Sequence, residues 1–319
     1  MIFQVNQVWG NLISSLVLSS GDSSAAVTSL NASQVPLLCG QNFLPAADAA
    51  VLTPQPPDKI LTIACIYLAC MIGAALIIIF GVDSMKRYNG SRPTSGAGLS
   101  GLSLLAVMVR LMVETDSLLL VVINVFIGFQ QAFFMADFNA AFVSCAVGTG
   151  SVGLVMMAYG VADAAGCLVT GYLAKVTGRL PLVSTAAVLH VALFVCTLWW
   201  RPAAGGGAGM YAAAVLWGLL DSVWMVQVNA YYGTLFPGRE EAAFSNFRLW
   251  ESVGFIISYL VSPYFRLSTK TYLILVMLIF GTICYLGVEI REKRRKKMQL
   301  VEKKEPVKGT DNIAFRDIE

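Results

Sequence analysis

Residues 60–82 read ILTIACIYLACMIGAALIIIFGV, and from Ile60 to Val82 there is no Asp, Glu, Lys or Arg. A helix of that length reaches about 35 Å, enough to cross roughly 30 Å of hydrocarbon. In lipid the backbone must satisfy its own polar groups, so an apolar run of this length is a helix. Working outward, similar blocks run from Phe3 to Leu18, Leu118 to Met135, Gly148 to Leu173, Leu182 to Trp200, Met210 to Phe236, Trp250 to Phe265 and Tyr272 to Ile290. The expectation is an all-α integral membrane protein with about eight spans. Composition agrees: 57% of residues are hydrophobic and 13% charged, against about 25% charged in a soluble domain.

A further apolar stretch, Leu102 to Val113, is too short to cross. Leu102, Leu105, Val109 and Met112 share one helical face beside Arg110 and Glu114, which fits a helix lying in the interface. Orientation follows from basic residues. If eight spans alternate, Lys86, Arg87, Arg92, Arg110, Lys175, Arg179, Arg239, Arg248 and the run from Arg291 share one side, with Lys59, Arg201, Arg266 and Lys270 opposite. The richer side is expected to be cytoplasmic, as is the C-terminus. The net charge of +3 therefore reports topology and does not point to nucleic acid. Asn31-Ala-Ser falls in the first loop, which this places outside, where it is a candidate glycosylation site. Asn89-Gly-Ser falls on the other side and is expected unmodified. Of seven cysteines most lie inside spans; Cys39 and Cys145 fall near the outer side and are candidates to pair, though sequence does not set their distance.

The first span begins almost at Met1, lacks a basic leader and carries Gln4, Asn6, Gln7 and Asn11, so it is read as a span and not as a signal peptide. Its amides need partners on other helices. Asp83 to Ser117 is the longest connection on the basic side and reads as a linker. The tail from Arg291, REKRRKK and onward, is expected to be disordered beyond Leu300. Arg294, Arg295, Lys296 and Lys297 are candidates for binding anionic lipid, the plainer reading being a stop signal that fixes topology.

Several stretches carry a resemblance: FQVNQVWGNLISSLVL from Phe3, GFQQAFF from Gly128, GLVMMAYGVADAAGCLVTG from Gly153, LWGLLDSVWMVQVNAYYGTLF from Leu216 and EEAAFSNFRLWESVG from Glu240. The chain resembles the Unc-ninety-three (uncoordinated) family of the major facilitator superfamily. That resemblance implies two six-helix halves around a central cavity, joined by a long cytoplasmic loop. Matching 83–117 to the loop makes these spans similar to the fifth through twelfth, as in an N-terminally truncated member with about eight of twelve transmembrane helices. The implied organisation is a remnant of the N-terminal bundle with a glycosylated outer loop at 1–82, a cytoplasmic linker with an interfacial helix at 83–117, a C-terminal six-helix bundle at 118–290, and a basic tail at 291–319.

The turn Gly171-Tyr-Leu-Ala-Lys-Val-Thr-Gly-Arg179 keeps the glycines, Leu173 and Arg179 of the superfamily's loop signature, but Lys175 stands where the acid belongs. Loss of that acid puts ordinary gating in doubt; a tight basic turn is the alternative. Ionisable residues inside spans are costly and by default functional. Asp163, Asp221 and Glu251 qualify. At 100° per residue Asp221, Trp224, Met225, Asn229 and Tyr232 share a face that lines either a cavity or a helix contact, while Gln227 points elsewhere. Asp163 lies on a small-residue stripe suited to close packing, and Glu251 is spaced to pair with Arg248. His190, the single histidine, has no nucleophile motif around it, and no phosphate loop or metal spacing occurs. No cofactor and no catalysis are expected. Two functions remain open: a non-enzymatic regulator of a potassium channel or trafficking partner of another membrane protein, implied by the resemblance, and a secondary transporter of a small solute or ion, suggested by the polar face around Asp221.

Overall fold

The computed structural model describes residues 2–19, 35–48, 56–81, 101–203 and 205–304. Asn31 and Asn89 lie outside them, as does most of the linker. The described residues form helices and no strand: α1 Ile2–Ser19, α2 Val35–Leu38, α3 Pro45–Asp48, α4 Pro57–Gly81, α5 Gly101–Met112, α6 Thr115–Ala132, α7 Val152–Thr177, α8 Arg179–Trp199, α9 Gly207–Leu235, α10 Glu240–Val261 and α11 Leu267–Lys304. The chain is a multi-pass α-helical membrane bundle.

Every expected span is occupied by a helix. Six helical stretches are long and apolar enough to cross a membrane: Pro57–Gly81, Thr115–Ser144, Thr149–Thr177, Arg179–Trp199, Gly207–Leu235 and Leu267–Gln299. The other two, α1 and α10, fall outside that group, because α1 carries four amides and α10 carries Glu240, Glu241, Arg248 and Glu251. The α10 helix begins at Glu240, ten residues before the expected Trp250. Its charged first half is tied down: Arg239 pairs with Glu114, and Arg248 with Glu251 at 2.6 Å. The α11 helix continues through Lys304, so the expected disorder does not begin at Arg291 or Leu300. Pairs at i,i+3 and i,i+4, Glu292 with Arg295 and Lys296, and Glu289 with Lys293, support the extension.

Glycine sets how closely helices cross. A Cβ on Gly128 of α6 would lie 1.9 Å from the Glu251 carbonyl oxygen of α10, and one on Gly254 would lie 2.2 Å from the Val125 oxygen. On α7, Gly153 and Gly160 admit α1, with Ser15 Cβ at 2.7 Å and Gln7 Cβ at 3.0 Å, while Gly166 admits Ser222 of α9. The stripe containing Asp163 is thus a packing seam on both of its sides. Among the described residues α4 packs against α1 and buries none of its residues; Tyr67 donates to the Gly10 carbonyl at 2.7 Å.

The α6 helix does not stop at Met135. It continues as a π-helix, Phe133–Ser144, which carries the aromatic core outward. Phe134, Phe138 and Phe142 stack in series at 5.1 and 4.8 Å, and Trp217, Tyr159 and Trp200 close around them. At this end Cys39 and Cys145 form a disulfide, Cα atoms 5.6 Å apart. It seats residues 39–43 on the bundle, where Gly40 N–H donates to Ala141 O, and Leu267 N–H to Phe43 O. The short helix α5 lies at the opposite end against α10, with Leu111 buried and Leu105 and Val109 exposed.

Candidate functional site

The polar centre of the bundle is assembled from α6, α7 and α9. Asp221 of α9 is 1% exposed. Its Oδ1 accepts from the side-chain nitrogens of Gln130 and Gln131, the latter at 3.1 Å; its Oδ2 accepts from Gln131 at 3.0 Å and from the Tyr159 hydroxyl at 2.8 Å. Gln130 in turn takes the Trp217 indole N–H on its side-chain oxygen at 2.5 Å. Three helices therefore converge on one carboxylate through neutral donors. This geometry ties the three helices together, each Asp221 oxygen accepting two hydrogen bonds.

The rest of the expected face divides. Trp224 N–H donates to His190 Nδ1 at 3.1 Å, joining α9 to α8, and the His190 ring stacks on Phe194 at 4.8 Å. Tyr232 accepts from Asn124 of α6 at 2.7 Å. Asn229 does not join: half-buried, it donates to the Met225 carbonyl of its own helix at 2.6 Å. Gln227, off that face, is fully buried, with neither side-chain polar atom bonded among the described residues. Asp163 is 3% exposed, and Cys167 one turn on is its thiol donor at 3.9 Å. Next to it Gly218 of α9 abuts the Tyr159 carbonyl, so Asp163 sits at the α7–α9 seam.

A second buried polar centre lies under the disulfide. Lys270 Nζ meets Asp137 Oδ1, Ser262 donates to the same oxygen at 2.5 Å, and Lys270 also reaches the Ser262 carbonyl at 3.2 Å. Sequence reading takes Lys270 as a topology marker and passes over Asp137 as beyond the end of its span. The available clue is FFMADFNAAF, a carboxylate with apolar residues on both sides. At the opposite end, Asp116 of α6 receives Arg291 and Arg295 of α11 at 3.5 and 3.6 Å. Lys175 and Val176 are exposed in the last helical turn of α7, which ends at Gly178 with φ 82°, so the expected loop is helical through Thr177; Arg179 donates to Thr234 at 3.0 Å over the Tyr231 ring. Among the described residues no group of three His, Cys, Asp or Glu stands close enough to hold a metal ion.

The family described as "Ion channel regulatory protein UNC-93" matches residues 10–205 and 210–286. The chain belongs to the UNC-93 family. Among curated UNC-93 relatives it is 33% identical to protein unc-93 homolog A of Danio rerio over 307 residues, covering 94% of this chain and 64% of that protein. It is 31% identical to the Homo sapiens homolog A, covering 92% and 64%. The unc-93 protein of Caenorhabditis elegans, whose name assigns it potassium channel regulation, is 29% identical, covering 91% and 41%. The chain thus spans just under two thirds of the length of the homolog A relatives.

Proposed function

We propose that this UNC-93 family chain acts as a non-enzymatic membrane subunit that regulates a potassium channel or escorts another membrane protein. The observation carrying this reading is the state of Asp221: the most deeply placed carboxylate on the candidate face is fully engaged by Gln130, Gln131 and Tyr159. A carboxylate so engaged serves as an interlock between helices, and the family description supplies the regulatory role. The exposed apolar surfaces of α4 and α10, Ile77, Phe80, Ile256 and Leu260 among them, offer area for a helical partner within the membrane. In this reading the end bearing Arg239 and α11's basic run faces the cytoplasm, the disulfide end faces outside, and Asn31 is glycosylated.

The test is co-expression of the chain with potassium channels, measuring co-purification and current. The reading predicts a stable complex and an altered current in at least one channel background, and fails if a broad set gives neither. A second reading, a secondary transporter of a small solute or ion, is favoured by the buried Gln227 amide, which has no bonded partner among the described residues. Saturable vesicle uptake that is lost in Gln227→Leu or Asp221→Asn would establish it over the regulator.

A further inference from the structure

The 38-residue helix α11 is longer than any membrane crossing requires, and its surface divides by face. Val276, Ile279, Ile283 and Ile290 are each more than half exposed, and at 100° per residue they fall within about 60° of one another on a single stripe. Such a stripe on the outside of the bundle meets lipid chains. Continued past Ile290, the same stripe carries Arg294 and Lys297, one and two turns further on.

The basic run itself separates into two sets. Arg291 and Arg295 are paired with Asp116, Arg295 and Lys296 with Glu292, and Lys293 with Glu289. Arg294 and Lys297 are exposed and form no ion pair among the described residues. They rise about 6 Å and about 10 Å beyond Ile290. The headgroup layer on each side of the hydrocarbon is roughly 5 to 7 Å thick, and the long Arg and Lys stems bend back toward it. We infer that Arg294 and Lys297 form a headgroup site for an anionic phospholipid whose chains lie along the Val276–Ile290 stripe.

This rests on α11's exposed stripe meeting lipid, and it is independent of whether the chain regulates a channel. The four contiguous basic residues are therefore not equivalent: Arg295 and Lys296 are held by the protein's own acids, leaving Arg294 and Lys297 for the lipid phosphate. With each basic residue contributing about 1 kcal/mol near an anionic surface, removal of both weakens lipid retention about thirtyfold.

Native mass spectrometry of the full chain in detergent, titrated with phosphatidylserine and with phosphatidylcholine, tests it. Wild type is expected to retain phosphatidylserine preferentially, R294Q/K297Q to lose that preference, and R295Q/K296Q to keep it. The charge-preserving R294K/K297R should also keep it, which separates binding from folding. The proposal is overturned if wild type shows no preference, if R294Q/K297Q binds like wild type, if the two glutamine pairs lose binding equally, or if inorganic phosphate displaces the lipid completely.

Discussion

Lys270 Nζ and Asp137 Oδ1 meet at 2.5 Å with both side chains 1% exposed, joining the start of α11 to the π-helical end of α6 across 133 residues of sequence. Lys270 and the Ser262 hydroxyl both serve Asp137 Oδ1, and the Ser262 carbonyl takes a second bond from Lys270, while Asp137 Oδ2 is buried without a hydrogen-bond partner among the described residues. Such a pair adds little net stability against an apolar replacement. Breaking it on one side is costly.

Lys270→Met is therefore expected to destabilise the bundle by about 3–5 kcal/mol, because Asp137 remains buried without its cation. The double variant Asp137→Leu with Lys270→Met should recover most of that loss. Thermal unfolding of detergent-solubilised protein measures both. Equal destabilisation in the single and double variants would show that the pair carries more than charge neutralisation.

Gly128→Ala and Gly254→Ala place a methyl inside the van der Waals envelope of a carbonyl on the facing helix. Either should push α6 and α10 apart and reduce the monodisperse yield sharply. Gly171→Ala, which meets nothing within 4 Å, should behave as wild type. Size-exclusion profiles from matched expressions decide the matter, and wild-type behaviour of Gly128→Ala would refute the close crossing.

Asp221→Asn keeps the size and removes acceptor capacity, so one side-chain donor among Gln130, Gln131 and Tyr159 is left without its partner. An unsatisfied buried polar group costs about 1–3 kcal/mol. Trp217→Phe frees the Gln130 oxygen and also removes part of a ring buried among Phe133, Phe134 and Phe194, so it too is destabilising. Melting temperatures of both variants below that of wild type are the expected result, and a wild-type value for Asp221→Asn would refute the interlock.

Cys39→Ser removes a link whose cysteines are 106 residues apart. A loss of about 2–4 kcal/mol is expected on the chain-entropy view, together with a mobility shift between reduced and unreduced gels that wild type shows and the variant lacks. An unchanged melting temperature would mean that the backbone hydrogen bonds of residues 40–43 hold the loop without the sulfur bridge.

Hydropathy alone located every long helix, because an uncharged run such as 60–82 has no other stable state in lipid. It misplaced the start of α10, since Glu240, Glu241 and Arg248 look like a loop until Arg239 is seen paired with Glu114 and Arg248 with Glu251. The 3.6-residue period puts Asp221, Trp224, Asn229 and Tyr232 on one face, and in the structure Asp221, Trp224 and Tyr232 bond side chains of other helices. Period gives direction and not partner, so it does not reveal that Asn229 bonds its own helix or that Gln227, off that face, is buried. The roles of Gln130, Gln131 and Tyr159 were not legible because three helices must meet before their convergence on Asp221 exists. Asp137 falls past the expected end of its span at Met135, and its cation lies 133 residues away.

The bridge between Cys39 and Cys145 closes α3, α4, α5 and all of α6 with its π-helical continuation into a covalent ring. Within that ring a single backbone cut, wherever it falls, leaves one molecule. A protease acting between these two positions produces fragments only after reduction, and a subunit nicked there remains joined to the helices on either side.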